Sequence, residues 1–208
     1  MSRHAPQGRR QRSVGVRTTV ILAAVLALAA ALVSVAPEER TLGAGIKSVY
    51  VHVALTLAGV TGLILAGALG LFGLFSSRGR LHAWMLAIGR VGLLFFAAGV
   101  AVSLWAARIN WGGVTLEEPL LRASLILLGV AWIAQLMMLL FLHARWHAAL
   151  SLLPALGLAA LVFRAPRVMH PPGAVLPSAP EHILLTFVGL TVLFLVAGAQ
   201  LSWHLSRR

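Results

Sequence analysis

The sequence contains no cysteine and only five acidic residues among its 208. The lack of cysteine excludes disulfides, thiolate metal sites, cysteine-ligated iron–sulfur clusters and covalent haem attachment through a C-x-x-C-H motif. Charged residues of both signs make up 11% of the chain, whereas a typical soluble domain has about a quarter. Polar surface is therefore too scarce to cover a soluble fold of this length.

Hydrophobic residues make up 60% of the chain, and its mean hydropathy is +0.92. The sequence predicts an all-α polytopic membrane protein, a bundle of about six transmembrane helices, with apolar runs at 18–36, 48–75, 83–106, 119–142, 147–163 and 182–205. Five of these runs reach the roughly 20 residues that span the hydrocarbon layer. The run 147–163 is shorter and contains Pro154.

We interpret residues 18–208 as a single transmembrane domain that follows a disordered, basic cytoplasmic arm, residues 1–17. An alternative for the first run is a secretory signal peptide, because Ser34-Val35-Ala36 resembles a cleavage site.

The net charge is +12, from 17 basic against five acidic residues. In a membrane protein such an excess is typical of loops that face an anionic leaflet, so no nucleic-acid partner is expected. Ten arginines and no acids occupy the arm, the segments 76–82 and 143–146, and the C-terminal tail. All five acids lie in the other connecting segments, at Glu38, Glu39, Glu117, Glu118 and Glu181. The positive-inside rule therefore predicts a multi-pass protein of the cytoplasmic (inner) membrane with both termini in the cytoplasm.

Eight histidines are present, and two of them are candidates for ligand binding. His52 lies about one turn inside the outer end of the second helix, where an ionisable group is costly and is a functional candidate by default. His170 lies in the last outer loop, between Met169 and Pro171. Two histidines from separate segments can bind one haem iron from opposite faces, but structural hydrogen bonding explains either residue equally well.

The middle outer loop places Trp111-Gly112-Gly113 shortly before Glu117-Glu118-Pro119. An interfacial aromatic belt accounts for Trp105, but it accounts less well for this combination at a helix start. Acidic residues favour helix N-termini. The guanidinium groups of the flanking Arg108 and Arg122 suit carboxylates such as haem propionates.

Three segments carry a resemblance to a known family. Residues 46–53 (IKSVYVHV) resemble a family segment of the form R-I-x-Y-I-H-V-P, although Ala54 replaces the proline that follows. Residues 111–119 stand where the family has W-G-x-x-W-x-W-D, with Thr115 and Glu117 at the later tryptophan positions and Glu118 at the aspartate. Met169-His170-Pro171 stands where the family has a second histidine. Over residues 40–205 the chain thus resembles the cytochrome c assembly family of haem-handling membrane proteins (CcmC/CcsA type), in particular its short six-helix members.

The resemblance implies a binding and transfer protein rather than an enzyme. It would hold haem b transiently and non-covalently at the outer membrane face and present it for cytochrome c maturation. His52 and His170 would be axial ligands, Trp111 would flank the ring, Arg108 or Arg122 would contact propionates, and Glu118 would order the loop or lie on the propionate side. The implied partners are membrane lipid and other maturation proteins, namely ABC-type exporter subunits and a haem chaperone.

Two alternatives stay open. The first is an electron-transfer subunit with b-haem between helices. No histidine lies near the midpoint of an apolar run, which counts against this alternative. The second is a structural subunit of a respiratory or transport complex, in which His52, His170 and Trp111 share no ligand.

Overall fold

A computed structural model describes residues 7–76, 78–141, 143–164 and 180–207. Within these ranges the chain forms six α-helices: α1 (Gln7–Ser34), α2 (Ile46–Phe75), α3 (Gly79–Trp111), α4 (Pro119–Leu140), α5 (Ala144–Arg164) and α6 (Glu181–Leu205). Each of the six is long and apolar enough to cross a membrane. The predicted all-α, multi-pass membrane fold is therefore confirmed.

The helices extend further than the apolar runs. Helix α1 begins at Gln7, so residues 7–17, which the sequence analysis assigns to a disordered arm, are helical in the structure. Helix α3 continues beyond its run to Trp111 and stops at Gly112, whose φ of 74° is left-handed and whose N–H donates to Arg108 O at 3.1 Å. Glycine adopts this conformation without steric cost, which makes it a common helix terminator.

Helix α2 lies at the centre of the bundle and packs against α3, α5 and α6. Small residues let its backbone approach its neighbours closely: a methyl group on Gly62 would lie 2.7 Å from Gly92 Cα on α3, and one on Gly70 would lie 2.6 Å from Ala148 O on α5. In lipid, apolarity alone does not bring helices together, so such close contacts stabilise the bundle.

The remaining helices cover this centre. Helix α1 packs mainly on α6, and α4 packs on α5 and α3. Between α2 and α6 the Tyr50 side chain is fully buried and meets Phe187 edge to face, with ring centroids 4.7 Å apart.

The two ends of the bundle differ in charge. One end carries all five acidic residues and is called the acidic end; it includes the ends of α1, α3 and α5 and the starts of α2, α4 and α6. The opposite end, called the basic end, carries Arg78, Arg80, Arg145 and Arg207.

Candidate functional site

A cavity of about 520 Å³ lies at the acidic end between α2, α3 and the start of α4. Its volume falls in the range of about 300–1,000 Å³ that is usual for small-molecule sites. Three residues that the sequence analysis singles out contribute to its wall: His52, Trp111 and Glu118. The rest is mostly apolar, with a few hydroxyl groups; the lining includes Val49, Val53, Thr56, Val100, Ser103, Leu121 and Ser124.

The His52 imidazole is oriented by the backbone of the neighbouring helix. Its Nδ1 lies 2.9 Å from Gly99 O on α3 and 3.3 Å from the Thr56 hydroxyl one turn further along α2. A carbonyl oxygen only accepts hydrogen bonds, so Nδ1 carries the proton and donates it. In the neutral ring Nε2 then holds the lone pair, which is the form in which histidine ligates a metal.

Gly99 makes this hydrogen bond possible because it has no side chain. A methyl group at this position would lie 2.6 Å from Thr56 Oγ1 and 2.9 Å from Thr56 N. The two backbones therefore approach more closely here than any larger residue permits, and the Gly99 carbonyl comes within reach of His52.

Trp111 is the last residue of α3, and its side chain is half exposed while it lines the cavity. The left-handed Gly112 directly after it ends the helix and turns the chain towards α4. Gly113 also lines the cavity, and a methyl group there would meet no atom within 4 Å. The Trp-Gly pair thus has a local structural cause: the glycine ends α3 with the indole at the edge of the cavity.

Glu118 caps helix α4. Its Oε2 accepts the Leu121 N–H at 2.5 Å, and Pro119 occupies the first helical position, where its missing N–H costs nothing. Its Oε1 is buried and has no hydrogen-bond partner among the described residues. Leaving a buried polar atom unpaired costs free energy, and a ligand that donates a hydrogen bond in the cavity would satisfy it.

The two predicted arginines do not line this cavity. Arg108 and Arg122 are exposed on α3 and α4 and do not belong to its wall. His170 lies outside the described residues. His182 is exposed at the start of α6 and is also absent from the cavity wall. Of the five predicted site residues that the structure describes, three thus lie together at this cavity.

Two residues of the segment 46–53 hold the preceding loop in place. The Tyr50 hydroxyl donates to Pro37 O at 3.1 Å, and Lys47 Nζ donates to Ser34 O at 2.9 Å. Asn110, which the sequence analysis does not single out, supplies a further tie by donating to Ser48 Oγ at 3.1 Å and to Ala106 O at 2.9 Å. An amide side chain in the last turn of a mostly apolar helix is the sequence signal that points to such a hydrogen bond.

Two histidines at the basic end contact each other. His82 Nε2 lies 3.0 Å from His147 Nδ1, and His147 Nε2 lies 2.5 Å from Phe141 O. Since the carbonyl only accepts, His147 donates from Nε2 and its Nδ1 accepts from His82 when both rings are neutral. This pair links α3 to α5 and to Phe141, the residue directly after α4.

In the ranges that the structure describes, no group of three or more His, Cys, Asp or Glu side chains has the arrangement of a metal site. Neither a protein-family model nor a curated protein matches the chain.

Proposed function

We propose that this protein binds haem non-covalently in the cavity at the acidic end and presents it for cytochrome c maturation at the outer face of the cytoplasmic membrane. The observation that carries the proposal is the convergence of His52, Trp111 and Glu118 on one largely apolar cavity. These residues come from two of the three segments that carry the resemblance, 46–53 and 111–119, and a shared ligand would explain why they converge.

The residues present suit this group. When bound, haem supplies an iron that takes axial nitrogen ligands. His52 would provide one such nitrogen at Nε2, and the hydrogen bond from Nδ1 to Gly99 O holds the ring in the required tautomer and orientation. Val49, Val53 and Val100 line the cavity and would exclude water from a bound haem, and the Trp111 indole would offer it a flat apolar surface.

Glu118 would order the loop or lie on the propionate side of the haem. A ligand group that donates a hydrogen bond in the cavity would satisfy its buried Oε1. Arg108 and Arg122, exposed at the same end, remain candidates for propionates that extend beyond the cavity. His170 would provide the other nitrogen ligand that the resemblance implies. The expected partners are the exporter subunits and haem chaperone that the resemblance also implies.

The test is an absorbance spectrum and haem content of the purified protein together with the c-type cytochrome content of the producing cells. His52→Ala and His170→Ala should each lower haem occupancy about tenfold or more. Glu118→Gln should have a smaller effect. His182→Ala is the matched control at the same end, and His147→Ala is the control at the basic end; both should leave the spectrum unchanged.

The same variants distinguish the alternatives. Loss of haem in His82 or His147 variants, with His52 variants unaffected, would favour an electron-transfer subunit with b-haem elsewhere in the bundle. Unchanged haem content and normal maturation in the His52→Ala, His170→Ala double variant would favour a structural subunit.

A further inference from the structure

A second cavity, of about 250 Å³, lies at the basic end between the first turn of α3 and the last turn of α6. Its wall includes Arg80 and Arg207, the indoles of Trp84 and Trp203, and Ser206. It is on the opposite end of the bundle from His52, and nothing about it depends on the haem proposal.

Within the part of the chain that the structure describes, neither guanidinium group of this cavity has an anionic partner. All five acidic residues lie at the other end, so no described carboxylate pairs with Arg80 or Arg207. The Arg207 guanidinium lies over the Trp203 ring, with Cζ 3.9 Å from the ring centroid. A guanidinium group has five N–H donors, so Arg207 can make this cation–π contact and still donate to an anion.

The start of α3 adds backbone donors to the same wall. Gly79 and Arg80, its first two residues, line the cavity. Arg78 precedes them without a side-chain cap, and the first turn contains no acidic residue. The N–H groups of the first turn have no acceptor within the helix, and such groups favour a phosphate or another anion.

We propose that this cavity binds the phosphate group of an anionic phospholipid from the leaflet at the basic end. Planar guanidinium donors suit phosphate oxygens. Because α3 and α6 are long enough to span a membrane, the cavity lies at the surface of the bilayer, where Trp side chains concentrate and basic pockets between helices bind lipid headgroups. A phospholipid is therefore favoured over free phosphate, which has the same anionic chemistry.

The experiment is native mass spectrometry of the full chain in detergent, titrated with phosphatidylglycerol and separately with phosphatidylcholine. The Arg80→Gln, Arg207→Gln double variant should bind the first phosphatidylglycerol about tenfold more weakly. The matched control, Arg78→Gln with Arg145→Gln, loses the same charge at the same end outside the cavity wall and should change the affinity by less than about twofold. Thermal melting without added lipid identifies any variant that fails to fold, and the single variant Arg207→Gln then replaces it.

Two further experiments locate the binding site and identify its ligand. A phosphatidylglycerol with a photoreactive headgroup should crosslink to residues 79–84 or 203–207. Displacement of the lipid by millimolar inorganic phosphate would support the phosphate site and show that free phosphate competes for it, whereas no displacement would support a site specific for lipid. Equal affinity for phosphatidylcholine, equal losses in the two double variants, or crosslinks confined to other segments would overturn the proposal.

Discussion

At the scale of single residues, the acidic end is organised by side chains that bond to backbone atoms of other segments. His52 donates to Gly99 O, Tyr50 to Pro37 O and Lys47 to Ser34 O. Polar groups near the lipid interface need such partners because few others are present. Three polar side chains of the segment 46–53 therefore have hydrogen-bond partners within the protein, in addition to any ligand.

Glu39 orders the loop between α1 and α2. Its Oε2 accepts the N–H groups of Thr41 at 2.9 Å and Leu42 at 3.0 Å, and it also accepts the Thr41 hydroxyl. The hydrogen bonds from Thr41, the hydroxyl first, lower the pKa of Glu39 below its usual value. A carboxyl group whose pKa is depressed by folding stabilises the fold above its unfolded pKa, and this contribution is lost as the pH falls through the folded pKa.

We therefore expect acidification to release this loop. The amide NMR resonances of Thr41 and Leu42 should shift as Glu39 takes up a proton, with a midpoint below that of an unperturbed glutamate. Glu39→Gln should abolish the transition, and Glu38→Gln, a matched change one residue earlier, should leave it in place. A midpoint at or above the usual carboxyl pKa would contradict the assigned hydrogen bonds.

The sequence identifies some of these residues and not others, for a physical reason. His52 is a candidate from its depth in an apolar run, and Glu118 is a candidate from its position before a proline at a helix start. Gly99 and Asn110 are not identified, because their importance depends on how closely α2 and α3 approach. That approach is a tertiary property that periodicity along one helix does not contain.

At the scale of helices, the apolar runs predict how many spans there are better than they predict the residues at which each helix begins and ends. The run 119–142 begins at the residue where α4 begins, because Glu118 and Pro119 are local start signals. By contrast, α3 extends beyond the predicted run 83–106 at both ends. Polar residues such as Asn110 continue a helix whose backbone bonds are already formed, and only Gly112 stops it.

The contact between α2 and α3 at Gly99 gives a prediction at this scale. Gly99→Ala places a methyl group 2.6 Å from Thr56 Oγ1, so the helices must separate at a cost of about 1–3 kcal/mol. The separation also lengthens the hydrogen bond between His52 and Gly99, and haem occupancy should fall. Thermal denaturation in detergent and the haem spectrum measure the two effects.

Gly129 on α4 is the matched control, because a methyl group there would meet no atom within 4 Å. Gly129→Ala should leave the haem spectrum unchanged and stabilise the helix by about 0.5–1 kcal/mol, the usual preference of a helix for alanine. Equal effects of the two substitutions would show that close packing at Gly99 does not position His52.

At the scale of the whole molecule, the two candidate sites lie at opposite ends of the bundle, separated by the length of its helices. The cavity that His52 lines is near the start of α2. The cavity that Arg80 and Arg207 line is at the far end, near the start of α3. The 30 residues of α2 correspond to roughly 45 Å of helix. Each cavity therefore faces a different surface of the membrane, and variants at one should not change binding at the other.

The orientation of the molecule is the last prediction. Six crossings put the start of α1 and the end of α6 on the same side, and the helices pack in agreement with this, since Gln200 Nε2 donates to Thr18 Oγ1 at 3.3 Å. The arginines of the basic end, without any acid, predict that this side is cytoplasmic. Alkaline phosphatase fused after Arg208 should then be inactive, whereas the same enzyme inserted between Gly113 and Val114 should be active, and a green fluorescent protein at the two positions should give the opposite pattern. Phosphatase activity after Arg208 would reverse the orientation and move the His52 cavity to the cytoplasmic face, where haem could not be presented to exported cytochromes.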